Sequence, residues 1–366
     1  MLRWNEKYGI KFMRLSSEMF PFASHPEHGY SLTPFAKEVL ADAGKVATEL
    51  GHRLTTHPGQ FTQLGSPRKE VITAAVRDLE YHDEMLSLLK LSPQQNRDAV
   101  MILHMGGTYG DKMATLDRFR TNYSSLLSDS IKLRLVLEND DVAWSVHDLL
   151  PICEELNIPL VLDYHHHNII FDADKCREGT YDISQPEIME RISATWKRKG
   201  ITQKMHYSEP CAGATTPRDR RKHSARVMTL PPCPPDSDLM IEAKDKEQAV
   251  FELMKNFKLP GYDRINDVVP YERLDENRPP PPDKNKKVKT PRKKSKAADN
   301  GEDQNGASGD GVDLIESSAR KQLEISAEDF AMGGPSSRVY WPVGMEDWLR
   351  PKKREKKTTI NEGTKM

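Results

Sequence analysis

A chain of 366 residues with a net charge of −1 is long enough for one large core or two modest ones, and its overall charge singles out no partner. Its four cysteines, Cys153, Cys176, Cys211 and Cys233, include no CxxC pair, which argues against a zinc ribbon or a disulfide framework and fits a reducing compartment. No apolar run approaches the ~20 residues of a membrane span, so a soluble intracellular protein with no membrane partner is expected.

The opening MLRWNEKYGIKF is neither a secretory signal nor an Arg- and Ser-rich transit peptide, and LRWNEKYG reads as the end of a helix. From there to about residue 275 short apolar strands alternate with amphipathic helical stretches. The strand candidates are KFMRLSS (11–17), RLTTH (53–57), VMILHMGG (100–107), RLVLEND (134–140), PLVLDYH (159–165), QKMHYS (203–208) and LMIEAK (239–244). Between them TPFAKEVLADAGKVATELG, KEVITAAVRDLEYHDEMLSLLKL, SVHDLLPICEELN and PEIMERISATWKRKG carry apolar residues at helical spacing, and Gly51 and Gly200 supply stop signals.

Seven strands separated by helices predict parallel βα units. Both a doubly wound sheet and a closed barrel fit that alternation. The polar residues favour the barrel, because His57, His104, Glu138, Asp163, His206 and Glu242 each stand at a strand's C-terminal end. Barrels build their sites at that face from many strands, whereas a doubly wound sheet concentrates them at one switch point. The expected fold is therefore an α/β, TIM-like (β/α) barrel spanning residues 1–275. Only seven strands are visible, so the first strand and most of its helix are expected to be missing, leaving exposed edges on the strands at 11–17 and 239–244.

Beyond residue 275 the composition turns to Pro, Lys, Gly and Asp. Residues 276–335 are expected to be a disordered low-complexity linker, because they offer almost nothing apolar to offset the entropy of ordering. Within it, eight of the thirteen residues from Lys284 to Lys296 are basic, which suits either a nuclear-localisation or nucleic-acid contact or a solvated linker. A short apolar segment at 336–351 is expected to dock on the barrel, and 352–366 is a disordered basic tail.

A lone His or Glu at a strand end is more often a satisfied polar residue than a ligand. Six on one face are too many for one ion and imply a site for two or three. Imidazole mixed with carboxylate, with positions open for water and substrate, suits Mn²⁺ or Zn²⁺ better than Ca²⁺. In LDYHHH, strand alternation would put His165 on the face of Asp163, while a loop turning over the barrel mouth would present His166. Periodicity leaves both open.

The ordered motifs SSEMFPFASH, HPGQF, LHMGG, LEND, LDYHHH, KMHYS and IEAK resemble the UV damage endonucleases, relatives of endonuclease IV. The resemblance runs from residue 1 to about 275 and includes YWPVGMEDWLRP, found in fungal members. It implies an enzyme that nicks the phosphodiester bond immediately 5′ of cyclobutane dimers and 6-4 photoproducts, in some members also at abasic sites, leaving a 3′-hydroxyl and a 5′-phosphate. Its cofactor would be two or three Mn²⁺ ions, with Zn²⁺ or Mg²⁺ as alternatives. The resemblance further implies that His57, His104 and Glu138 bind one ion, and that Asp163, His206 and Glu242 with the bridging Glu138 bind a second. The family's Asp-x-x-His pattern matches Asp163 and His166, which with His223 from RKHSA would serve a third; His165 and His167 are then structural.

Lys204, two residues before His206 and on the same strand face, matches a lysine that the family carboxylates; otherwise it is a barrel-interior lysine paired with a carboxylate. Gln60 and Phe61 resemble the pair that probes the lesion, with a core phenylalanine as the alternative for Phe61. His25 resembles a residue near the damaged strand, or is a polar loop histidine. The implied partner is damaged double-stranded DNA, acted on by a monomer in the nucleus or mitochondrion, with no small-molecule substrate. Two rival readings remain: another metal-dependent barrel (an abasic endonuclease or a sugar isomerase), and a truncated, inactive damage-binding protein.

Overall fold

The computed structural model describes residues 1–176 and 186–265. The linker at 276–335 with its basic run, the segment at 336–351 and the tail at 352–366 lie outside the described residues. All seven expected strands form: β1 (Phe12–Leu15), β2 (Arg53–Thr56), β3 (Met101–His104), β4 (Leu135–Glu138), β5 (Leu160–Val161), β6 (Lys204–Tyr207) and β7 (Asp238–Ile241). β1 to β5 make one parallel sheet in chain order, and β6 pairs parallel with β7. The two sheets meet at one parallel bridge, Asp163 to His206, where His206 N–H donates to the Leu162 carbonyl at 3.0 Å. Chain order is therefore spatial order, as a (β/α) barrel requires.

Among the described residues no backbone ladder joins β7 to β1. Side chains span that seam instead. Arg14 on β1 reaches the Glu242 carboxylate at 2.5 Å, Arg53 at the start of β2 reaches Asp238 at 2.7 Å, and the Lys204 ammonium lies 5.4 Å from the Phe12 ring centroid. The sequence expectation of open edges at β1 and β7 is thus met in the backbone but not in the side chains.

Outside the strands run α1 (Leu2–Lys7), α2 (Thr33–Leu50), α3 (Lys69–Leu88), α4 (Pro93–Asp98), α5 (Lys112–Leu126), α6 (Asp129–Arg134), α7 (Val146–Leu156), α8 (Tyr164–His167), α9 (Pro186–Lys197), α10 (Pro217–Arg220) and α11 (Glu247–Phe257). α2 buries Ala36, Leu40, Gly44 and Ala47, a single stripe at helical spacing. Gly44 is required there, since a Cβ would stand 1.6 Å from the Leu89 carbonyl oxygen. α2 lacks a cap from its own N-cap residue; the Glu84 carboxylate of α3 accepts the Leu32 and Thr33 N–H groups and the Ser31 and Thr33 hydroxyls instead. α7 opens on a capping box of Ser145 and Asp148. Between strands and helices Trp144, Trp196 and Phe119 are fully buried, and the Trp196 indole donates to the Leu160 carbonyl at 2.8 Å. The core thus holds rigid the strand ends that carry the polar cluster. No described helix is long and apolar enough to cross a membrane.

Candidate metal centre

The register of β3 on β4 sets His104 level with Glu138. Glu138, only 1% exposed, becomes the hub of the cluster. Its Oε2 lies 3.0 Å from Nε2 of both His57 and His104, while its Oε1 lies 2.8 Å from His206 Nδ1 and 3.6 Å from His166 Nδ1. The two oxygens of one carboxylate therefore face two donor groups. His57, His104 and Glu138 form one compact trio and Glu138, Asp163 and His206 another, with the donor atoms of each within 4.8 Å of one another. Glu242 joins at the second trio, 3.4 Å from His206 Nδ1.

The histidine triplet departs from strand alternation. Asp163 ends the extended run and caps the single turn α8, its Oδ1 accepting the His166 N–H at 2.8 Å. A helical turn places residues i and i+3 on one face, so His166 rather than His165 shares the face of Asp163. The His166 Nδ1 contacts the Asn139 carbonyl at 2.9 Å, and His223 Nδ1 contacts the Glu242 carbonyl at 2.7 Å. Such contacts orient an imidazole and fix its tautomer. His223 belongs to neither compact trio, its ring centroid lying 6.4 Å from that of His166. His165 packs edge-on against His223 at 4.9 Å, and His167 against Phe171 at 6.3 Å. Both are buried, and burial drives each down to about 3.

Burial alone would raise the Glu138 carboxyl, but the His206 and His104 imidazoles outweigh it and hold the group well below the usual range. Burial raises Asp163, with Glu138 and Glu242 adding to the effect against His166. His206 is pushed down to about 4 by burial, with Lys204 adding and Glu138 opposing. Lys204 is fully buried beside the His206 Nε2, and burial lowers it to about 7. The Oδ2 of Asp163 is buried without a hydrogen-bond partner, its nearest cationic group being His166 Nδ1 at 3.6 Å. A buried carboxylate oxygen without a donor is costly, and a cation beside it removes that cost. The donor set, imidazole nitrogens and carboxylate oxygens around a shared glutamate, fits divalent metal ions.

Two loops frame this centre. The one after β1 carries His25, whose Nδ1 accepts the Glu27 and His28 N–H groups at 3.1 Å each; the proton of its neutral ring is then on Nε2. The one after β2 carries Gln60 and Phe61, both exposed. Phe61 is 79% exposed, so it is no core residue. Asp78 of α3 ties the loops together, accepting from Ser24 Oγ at 2.9 Å and Thr62 Oγ1 at 2.7 Å.

Sequence reasoning brought six strand-end residues to one site and missed the groups that hold them. Asn139 brackets Asp163, its Oδ1 accepting the Asp163 N–H at 2.8 Å and its Nδ2 donating to the Asp163 carbonyl at 2.9 Å. Its place inside LEND was the only available signal. Arg14, which holds Glu242, and Asp78 carried none.

A family model described as UV-endonuclease UvdE matches residues 1–273. The UV-damage endonuclease of Neurospora crassa is 70% identical over 98% of this chain, and that of Schizosaccharomyces pombe is 55% identical over 73% of it. The chain spans about half the length of these relatives, 54% and 46% respectively. The crystal structure of SacUVDE matches with a TM-score of 0.59 at 28% identity, over 70% of this chain and 84% of that one. A matching model over residues 1–273, with a (β/α) barrel converging on a His and Glu cluster, places the chain in the UV-endonuclease UvdE family.

Proposed function

We propose that this chain cuts damaged double-stranded DNA at the phosphodiester bond immediately 5′ of cyclobutane dimers and 6-4 photoproducts, and at abasic sites, leaving a 3′-hydroxyl and a 5′-phosphate. The observation that carries the reading is Glu138, whose two oxygens face separate imidazole groups. His57, His104 and Glu138 would hold one ion, and Glu138, Asp163, His206 and Glu242 a second. His166 and His223, each oriented by a carbonyl at Nδ1, would serve a third beside Asp163. Ions held here, Mn²⁺ in our reading, would activate water and stabilise the attacking and leaving oxygens of an in-line displacement. Lys204, buried against His206 and facing Glu138 and Glu242, is proposed to be carboxylated, which would turn a repelled cation into an anion. Gln60, Phe61 and His25 would meet the distorted duplex, where unstacking costs least.

The test is incision of an end-labelled duplex carrying one cyclobutane dimer, with Mn²⁺, beside an undamaged duplex and Glu138→Gln. A single cut 5′ of the dimer, lost in the variant, is the expected result. A folded, metal-loaded protein that neither cuts nor prefers the damaged duplex would overturn it. Retained binding without cutting would instead favour a damage-binding protein.

A further inference from the structure

The two most exposed aromatic side chains among the described residues are Phe61, 79% exposed, and Phe22, 69% exposed. They lie on the loops that follow β2 and β1, neighbouring parallel strands, so both loops leave the C-terminal face of the barrel. The loops are not independent. Ser24 and Thr62 donate to the two oxygens of the same carboxylate, Asp78. Arg77 Nε also donates to the Ser24 carbonyl at 2.7 Å, and Ser17 Oγ to the His57 carbonyl at 2.5 Å. Phe22 is two residues from Ser24, at most about 7 Å along the backbone, and Phe61 adjoins Thr62, about 3.8 Å away. One clasp thus fixes the bases of both rings.

Phe22 also adopts φ +64°, the left-handed region that glycine enters freely and a bulky side chain enters at a cost. Its ring meets His25 edge-on at a centroid distance of 6.0 Å but stays mostly in water. A phenylalanine at a glycine-favouring position, buried in nothing, adds little to folding stability. Strain held at an exposed aromatic points to a role outside the fold.

We propose that Phe22 is a second stacking residue for damaged duplex DNA, forming with Phe61 the two sides of one aromatic clamp whose spacing is set by Asp78. The inference rests on the reading of the chain as acting on UV-damaged DNA. Stacking is tolerant of sequence, because every base presents a π-face. Two rings on joined loops would engage both sides of a step that the lesion has already weakened, which gives damage selectivity without reading bases.

The test uses the full chain and a fluorescent duplex carrying one dimer, with 2-aminopurine beside it and a methylphosphonate replacing the scissile phosphate so that no strand is cut. Phe22→Ala is expected to weaken binding to the dimer duplex on the order of tenfold, leaving undamaged-duplex affinity and metal content unchanged. The 2-aminopurine brightening seen with the unsubstituted protein should fall with it. Phe22→Trp should keep both signals. The deciding variant is Phe22→Gly, expected to lose damage preference like Phe22→Ala while melting at or above the unsubstituted protein, since glycine relieves the strain. A Phe22→Gly protein with full damage preference and full brightening would overturn the clamp and leave the endonuclease reading standing. An unsubstituted protein with no preference for the dimer duplex would overturn both.

Discussion

Asn139 shows how much of the centre depends on a residue outside the proposed ligand set. Its amide accepts the Asp163 N–H and donates to the Asp163 carbonyl, and its own carbonyl holds the His166 ring. The Asp163 carbonyl keeps a second partner in the His167 N–H at 3.0 Å. Truncation at Asn139 therefore strands one buried N–H rather than two groups. Asn139→Ala should cost about 2 kcal/mol in urea unfolding and weaken metal binding roughly tenfold. Equilibrium dialysis against a metal indicator reads the second effect. Unchanged metal affinity would mean that Asp163 is held well enough by α8 alone. The same residue marks a limit of sequence reading: an asparagine between a glutamate and an aspartate looks like loop polarity until the neighbouring strand is in place.

At the scale of elements, α2 starts on a carboxylate borrowed from α3. Four contacts to Glu84, at 2.5 to 3.1 Å, replace an N-cap side chain. Burial would raise the Glu84 carboxyl, but these hydrogen bonds outweigh it and lower the group below its ordinary value. A depressed folded value means that the stabilisation is complete above the unfolded pKa and is lost as pH falls through the folded one. Glu84→Ala should thus lose about 1–2 kcal/mol at pH 7, and the gap to the unsubstituted protein should narrow in acid, once the pH falls below the ordinary glutamate value of about 4.3. Urea titrations at neutral and acid pH check it. Alternation of strands and helices was legible because buried strands and amphipathic helices differ in period; six of the seven windows contained their strand, and the window at 239–244 missed only Asp238 at the start of β7. Borrowed caps and clasps were not, because the contacts of Asp78 reach 54 and 16 residues along the chain. Periodicity could not decide between His165 and His166 for a related reason, since the Asp163 cap that turns YHHH into a helical turn also reads as a strand end.

For the molecule as a whole, the seams between strands differ in kind. β1–β2, β3–β4 and β6–β7 each have four registered residue pairs, β4–β5 has two, β2–β3 has one, β5 and β6 share a single bridge, and among the described residues side chains rather than a ladder tie β7 and the residue after it to β1 and β2. Arg53 is buried whereas the Asp238 side chain is 37% exposed, so solvent screens part of their attraction. Asp238→Ala leaves the Arg53 charge without that partner and should cost about 2 kcal/mol, less than the 3–5 kcal/mol of a fully buried pair. Denaturant unfolding measures it, and a cost that vanishes in high salt would assign the pair to the surface.

Two of the three weakest seams, β5–β6 and β7–β1, flank the same pair of strands, β6 and β7, which makes that pair a leaf able to swing out, whereas the third, β2–β3, lies inside the five-stranded sheet. Backbone amides on such a leaf exchange with solvent deuterium through partial opening, at a free energy below that of global unfolding. The proposed ligands are divided across it: His57, His104, Glu138 and Asp163 stand on the larger sheet, and His206 and Glu242 on the leaf. Ligation from both sides would stitch the leaf down. Chelation should accordingly speed deuterium uptake at β6 and β7 selectively, with β3 and β4 keeping their protection, and uptake that rises evenly across all seven strands would show that the barrel opens as one piece.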